Sequence, residues 1–320
     1  MENYPKTLME FEECFATEEA CRAYLAAIRW PDGFRCPACG GMEAWHSCEG
    51  LWICRNCQRK TSVTAGTIFQ DTRKGLRTWF RAMWLVCNQK NGVSALGIQR
   101  VLGLASYQTA WTWLHKLRRA MVRPGRDRLS GCVEIDETYV GGAKPGKRGR
   151  GAAGKAMVLV ATEVDGRKVG RIRLARTTDG TAANLEAFVQ MSVELGSIIR
   201  TDGNQSYCGL PALGYRHEVI VMKDAEGDET KMLPQTHLVA SLLKRWLLGT
   251  HQGGVQHHWL DYYLDEFTFR FNRRTSQARG QLFYRLIQQA VQVGPASYDA
   301  IITIHHPIRL QKMGLLQSSG

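Results

Sequence analysis

"CVEIDETYVGG", residues 132–142, is the stretch on which the fold turns. Val133 and Ile135 alternate with Glu134 and Asp136, and this period of two predicts a strand. A strand of that composition belongs in a core, yet Asp136 stands near its middle. Taking a lone carboxylate out of water is costly unless a partner compensates it. The rest of the chain must supply that partner.

Working outward, "AMVLVATEV" (156–164) and "GRIRLARTT" (170–178) read as the next two strands. A helix is expected from about Ala182 to Leu195, then strands at "SIIRTDG" (197–203) and "HEVIVM" (217–222). From about Gln235 to Val293 the pattern is mostly helical. Strands, a helix, more strands and then helices make a mixed α/β domain. Asp202 closes the apolar run of "SIIR" in "RTDGNQSY". If its strand lies beside that of Asp136, the two carboxylates meet at one point. A divalent ion such as Mg²⁺ would then supply the missing compensation and suit phosphoryl transfer. The other reading of "TDGN" is a surface turn, because Asp-Gly is a strong turn signal.

The chain has 320 residues, room for two or three domains, and a net charge of +13. That excess points to a polyanion, with nucleic acid ahead of an acidic membrane surface. No apolar run is long enough to span a membrane. The start, "MENYPKTLMEFEE", is polar and acidic, unlike a secretory signal, so a cytoplasmic protein is expected. In that reducing compartment the ten cysteines are not expected to form a disulfide framework.

Four of those cysteines form two tight pairs, "CPAC" at 36–39 and "CRNC" at 54–57. Each pair offers two thiolates from one turn, and two turns complete a tetrahedron around Zn²⁺. Cys36, Cys39, Cys54 and Cys57 are therefore expected to hold one structural zinc that helps a small ribbon fold. Before the ribbon, "EEACRAYLAAIR" (18–29) has helical spacing with Thr17 as its N-cap. After it, residues 75–121 look helical, with breaks at "KNGVS" and "LGLAS". The part from Gly92 to Met121 fits a helix-turn-helix. Gln108 and Thr109, early in its second helix, could meet base edges, and Lys116, Arg118 and Arg119 could meet phosphates. A helical hairpin packed through Trp111, Trp113 and Leu117 fits the same spacing. "VRPGRDRLSG" (122–131) marks a boundary. The glycine-rich loop at 143–156 carries Lys147, Arg148 and Arg150 and no acid, and is expected to clamp phosphates or to stay solvated.

The order of these parts resembles the DDE transposases of bacterial insertion sequences. The resemblance is closest to the zinc-ribbon branch with an ISXO-like catalytic domain. It rests on the ribbon with "VEIDETYVGG", "RTDG", "LLKRWLLGTHQG" and "YLDEFTFRFNRR", and runs from about residue 10 to 290. It implies an RNase H-like catalytic domain, with Asp136 the first catalytic acid and Asp202 the second. It implies two Mg²⁺ or Mn²⁺ ions there, and cleavage and rejoining of DNA. The expected organisation is a helical leader (1–30), a zinc ribbon (31–72), a helix-turn-helix region (73–122), an RNase H-like domain (131–295) and a tail (296–320).

The third acid departs from the family's pattern. Many DDE enzymes carry a Glu about 35 residues after the second Asp, with a Lys or Arg seven residues further on. Here that place holds His237, with Lys244 following. Glu266 in "YLDEFTFRF" is the other candidate. His237 has the spacing and Glu266 has the chemistry, since carboxylate suits Mg²⁺ better than imidazole does. His237 could instead be a histidine of the helix surface, and Glu266 could pair with Arg270 at i, i+4. Lys244 and Arg245 are expected on DNA phosphates, as are Arg270, Asn272, Arg273 and Arg274. The resemblance implies a transposase that binds terminal repeats of its element and acts as a homo-oligomer on DNA. The alternatives are a zinc-ribbon DNA-binding regulator without catalysis, and an RNase H-like nuclease that cuts without joining.

Overall fold

A computed structural model describes residues 4–122, 125–141, 155–221 and 232–303. By its internal contacts the chain divides into two compact units. One holds the described residues up to 122 together with 275–303, and the other holds 125–274.

The first unit opens with α1 (Leu8–Cys14) and α2 (Glu18–Arg29). The hydroxyls of Thr7 and Thr17 cap them, as the sequence predicts for Thr17. A three-stranded antiparallel ribbon follows: β1 (Ala44–His46), β2 (Trp52–Cys54) and β3 (Lys60–Thr61). Next come α3 (Leu76–Asn88), α4 (Ala95–Leu102) and α5 (Tyr107–Ala120). The α4–α5 turn is built by its own residues. Gly103 takes a left-handed conformation at φ +60° and ends α4, and Ser106 caps α5. The N-terminus of α3 has no side chain of its own to cap it, because Gly75 stands there. The Glu18 carboxylate does so from α2, accepting from Leu76 N at 2.8 Å and Arg77 N at 2.9 Å. A Cβ on Gly75 would overlap that carboxylate and displace the cap.

This unit is held by aromatic rings. Phe11, Phe15, Phe80, Trp84 and Phe283 pack with centroids 4.8–5.8 Å apart. Phe283 belongs to α9 (Arg279–Ala290), which precedes the last described helix, α10 (Tyr298–Thr303). Residues 275–295 therefore group with the N-terminal helices, whereas the sequence suggested a catalytic domain running to 295. The reason is the ring of Phe283, which completes the core of α1 and α3.

The second unit is built on a five-stranded mixed sheet. Its strands are β4 (Cys132–Val140), β5 (Ala156–Asp165), β6 (Lys168–Thr177), β7 (Ile198–Thr201) and β8 (Arg216–Val219). The order is β6-β5-β4-β7-β8. β4, β5 and β6 form an antiparallel meander, and β7 and β8 run parallel to β4. The crossover from β6 to β7 is α6 (Ala182–Ser192). This is the RNase H-like mixed sheet, and β4, the stretch that opened the reading, is its central strand. Its alternation decides the two faces. Val133 and Ile135 join the core under α6 with Leu185 and Phe188. Val140, on the parity of Asp136, packs instead toward α7 (Pro234–His251) and α8 (Leu260–Phe271).

The exposed edge of β6 is closed by side chains of the "FNRR" stretch. Asn272 offers its amide as a substitute strand: Oδ1 accepts from Ile172 N at 2.8 Å, and Nδ2 donates to Ile172 O at 3.2 Å. Arg274 continues it by donating to the carbonyls of Val169 and Gly170. Arg273 donates to Phe269 O and lies over the Phe269 ring. The sequence assigned Asn272, Arg273 and Arg274 to phosphates, but these contacts hold the sheet edge and α8.

Candidate active site and metal centre

The ribbon gathers the four cysteines of the two C-x-x-C turns. All four Sγ atoms lie within 4.8 Å of one another. Cys36 and Cys57 are 3.6 Å apart and Cys39 and Cys54 3.5 Å. Four thiolates at ~2.3 Å from one zinc would stand about 3.8 Å apart, so the cage fits the ion. The two turns are built alike. Gly40 N donates to Cys36 O and Gln58 N to Cys54 O, and both donors have positive φ, +74° and +58°. The thiols are set against each other. Amides of Cys39 and Ala38 draw the Cys36 thiol down to about 6. The Gly41 amide pulls Cys39 the same way, but Cys57 and Cys54 push it up to about 12. Four such thiols ionise together only with a cation between them.

The acids lie toward one end of the β4/β7 pair. That pair is parallel, with Cys132 beside Ile198, Val133 beside Ile199 and Glu134 beside Arg200. The paired register stops there; Asp136 lies two residues further along β4, and Asp202 one residue past the end of β7. Asp202 also makes the turn that its sequence suggests, its Oδ1 accepting from Asn204 N at 3.1 Å. The two readings of "TDGN" are thus compatible. α7, which packs on β4 and β5, brings His237 to the same place. Its Nε2 is 3.2 Å from Asp136 Oδ2, with the side chains 39% and 21% exposed. Two donors at adjacent corners of an octahedral ion at ~2.1 Å stand about 3 Å apart, so this pair fits a shared divalent ion.

Glu266 is placed elsewhere. α8 packs on β6, two strands from β4 in the sheet order. Its Leu260, Tyr263, Leu264, Phe267 and Phe271 face the core beneath. Glu266 lies about a third of a turn away from that stripe. It is fully buried, with Arg270 Nη1 3.8 Å from its Oε1. The i, i+4 pairing is therefore present, and the structure groups His237 with Asp136.

Basic groups border the acids. Lys244, two turns beyond His237 on α7, is exposed, and its ammonium pKa is lowered by partial burial and by Lys155, against the pull of Asp136. Arg245 is exposed beside it. Lys147, Arg148 and Arg150 lie outside the described residues. One contributor, Tyr207, gave no sequence signal. The buried Tyr207 hydroxyl donates to Glu137 Oε1 at 3.0 Å. Its pKa is raised by burial first and then by Glu137, Asp136 and Asp202, all within electrostatic reach of this one hydroxyl. Glu134, which its place on the strand face of Asp136 suggested as a supporting or solvent-facing residue, holds the start of α7.

In the first unit, Gln108 is exposed at the start of α5. Thr109 belongs to the cap: its amide donates to Ser106 Oγ at 3.1 Å. Lys116 and Arg119 are half-buried. Arg118 is 1% exposed and its Nη1 lies 3.3 Å from His115 Nε2, so it does not present a guanidinium to phosphate. Trp113 stacks on Trp79 at 3.8 Å, so packing and an exposed leading edge coexist on α5.

Residues 128–272 match the ISXO2-like transposase domain, and residues 16–60 match the transposase zinc-ribbon domain. A protein of the transposable element ISH50 from Halobacterium salinarum is 27% identical over 277 residues, 80% of this chain and 91% of that protein. Among solved structures, a chain of the Mos1 strand transfer complex overlaps 66% of this chain and 78% of its own length. Its identity is 15% and its TM-score 0.24, too loose an overlap to transfer any feature. Among the described residues no helix is long and apolar enough to cross a membrane. With a four-cysteine ribbon ahead of a mixed sheet whose central strand carries Asp136, the chain joins a transposase zinc-ribbon domain to an ISXO2-like transposase domain of the DDE class.

Proposed function

We propose that this protein binds the terminal repeats of its insertion sequence, cuts the DNA there and joins the freed ends to a target. What supports the reading is the Asp136–His237 contact at 3.2 Å, with Asp136 and Asp202 both acting electrostatically on the buried Tyr207 hydroxyl. These three residues would hold two divalent ions, Mg²⁺ or Mn²⁺. Such ions, when bound, activate the attacking oxygen and stabilise the leaving one. Water attacks a phosphodiester at the element end, one P–O bond forms as another breaks, and a 3′-hydroxyl is released. That hydroxyl attacks a target phosphodiester in the same way, so each bond broken is replaced and no nucleotide cofactor is consumed.

The chain's own groups do the positioning. Lys244, Arg245 and Lys155 draw phosphates toward the acids by charge. The zinc ribbon, and α5 through Gln108, Lys116 and Arg119, would supply end recognition. Two element ends must be paired, so the working form is a homo-oligomer on DNA, in the cytoplasm. The test is incubation with Mg²⁺, supercoiled plasmid and DNA carrying the element ends. Cut and joined products are expected. Binding without cutting would leave a regulator, and cutting without joined products a nuclease.

A further inference from the structure

The first turn of α7 is capped from outside the helix. Leu233 at its N-cap makes no side-chain cap, and Pro234, which follows, has no N–H to offer. The next two amides, Gln235 N and Thr236 N, both donate to Oε2 of Glu134, each at 3.0 Å. Glu134 belongs to β4 and is 3% exposed. With its nitrogen turned inward, the Gln235 carboxamide donates to the same carboxylate at 2.5 and 3.2 Å. A buried carboxylate is tolerated here because amides and the positive end of the helix face it.

Its place relative to the acids gives this cap a second consequence. Glu134 and Asp136 are two residues apart on one face of β4. Thr236 and His237 are consecutive on α7. The Glu134 strut and the Asp136–His237 contact therefore run side by side between the same strand and the same helix. A helix end without its cap leaves its first amides to water and frays. His237 lies within that first turn.

We propose that Glu134 is a positioning residue: by tying the first turn of α7 to β4 it sets where the His237 imidazole stands relative to Asp136. The proposal rests on reading Asp136, Asp202 and His237 as a metal site. Glu134 is engaged by amides and is not itself a donor to the ion. A Gln at 134 keeps an acceptor oxygen for the two amides, and an Ala removes it.

The test uses the full chain with its zinc, as wild type, Glu134→Ala and Glu134→Gln. Amide hydrogen exchange over 234–238 reads the strut, and Mn²⁺ titration followed by electron paramagnetic resonance reads the site. Glu134→Ala is expected to speed exchange in the first turn of α7 and to weaken Mn²⁺ binding by about tenfold, the lower end of the usual cost of losing an outer-shell partner. Glu134→Gln is expected to recover most of both. A merely structural role would lower the melting temperature of Glu134→Ala and leave Mn²⁺ affinity unchanged in the folded protein; that result overturns the proposal. Equal weakening by Gln and Ala also overturns it. Asp136→Asn is run alongside. Wild-type Mn²⁺ binding by that variant removes the metal-site reading and this proposal with it, and the exchange data then show whether the strut itself stands.

Discussion

The ribbon, whose four cysteines fit zinc, and the acid cluster proposed to hold divalent ions are assembled in opposite ways. The ribbon draws its four thiols from two short turns within residues 36–57, each made by local backbone bonds. The proposed acid cluster draws Asp136 from β4, Asp202 from the turn after β7 and His237 from α7, spread over about a hundred residues. In the ribbon the metal substitutes for a core. In the sheet a core exists first, with Ile135, Leu159 and Phe188 fully buried, and it positions the donors. Losing a ligand should therefore cost fold in one and chemistry in the other.

The largest effect is expected in the ribbon. Structural zinc in small modules contributes roughly 10–16 kcal/mol of apparent binding energy, which is folding energy. Cys54→Ala should take zinc content from about one per chain to near zero, measured by metal analysis, and unfold residues 31–61 while the sheet stays folded. Unfolding of both units together would show that they do not fold independently.

A smaller effect, confined to chemistry, is expected from the third donor. His237→Ala should lower cleavage of end-containing DNA by about 10- to 100-fold with melting temperature unchanged. Glu266→Gln should do the reverse, lowering the melting temperature because it disturbs a buried pair with Arg270, and leaving the rate of the folded enzyme close to wild type. If the two results exchange places, Glu266 is the third ligand. Carboxylate suits Mg²⁺ better than imidazole, so His237→Asp should retain more Mg²⁺-dependent cleavage than His237→Ala.

The smallest effect separates the two helix caps supplied from a distance. Glu18 caps α3 and Glu134 caps α7, each with two backbone amides. Glu18→Ala should cost about 1 kcal/mol of stability, read as a lowered unfolding midpoint, and should leave Mn²⁺ binding alone. A change in Mn²⁺ affinity there would mean that any lost cap disturbs the site, and the contrast with Glu134 would fail.

The same contrast explains what was legible in the sequence. The ribbon could be read because its ligand spacing is local. Asp136 could be read because a charge inside an apolar alternation demands a partner. That Asp136 and Asp202 lie toward the same end of neighbouring strands needed the parallel β4/β7 pairing, which spacing alone does not fix. The choice between His237 and Glu266 needed the packing of α7 on β4 and of α8 on β6. Arg118 looked available to DNA because a basic residue late in a helix is usually exposed, and its burial beside His115 is a tertiary fact. Asn272 and Arg274 looked like phosphate ligands because nothing in their own stretch announces that they close an edge strand.

The central claim is that Asp202, which its sequence also describes as a turn residue, works with Asp136 on metal and DNA. The most direct test is the rate of end cleavage by Asp202→Asn at saturating Mg²⁺, with binding of end DNA and melting temperature measured on the same preparation. A loss of at least about a hundredfold with binding and stability retained is predicted. Cleavage at the wild-type rate would make Asp202 a turn residue and nothing more, and would contradict the account.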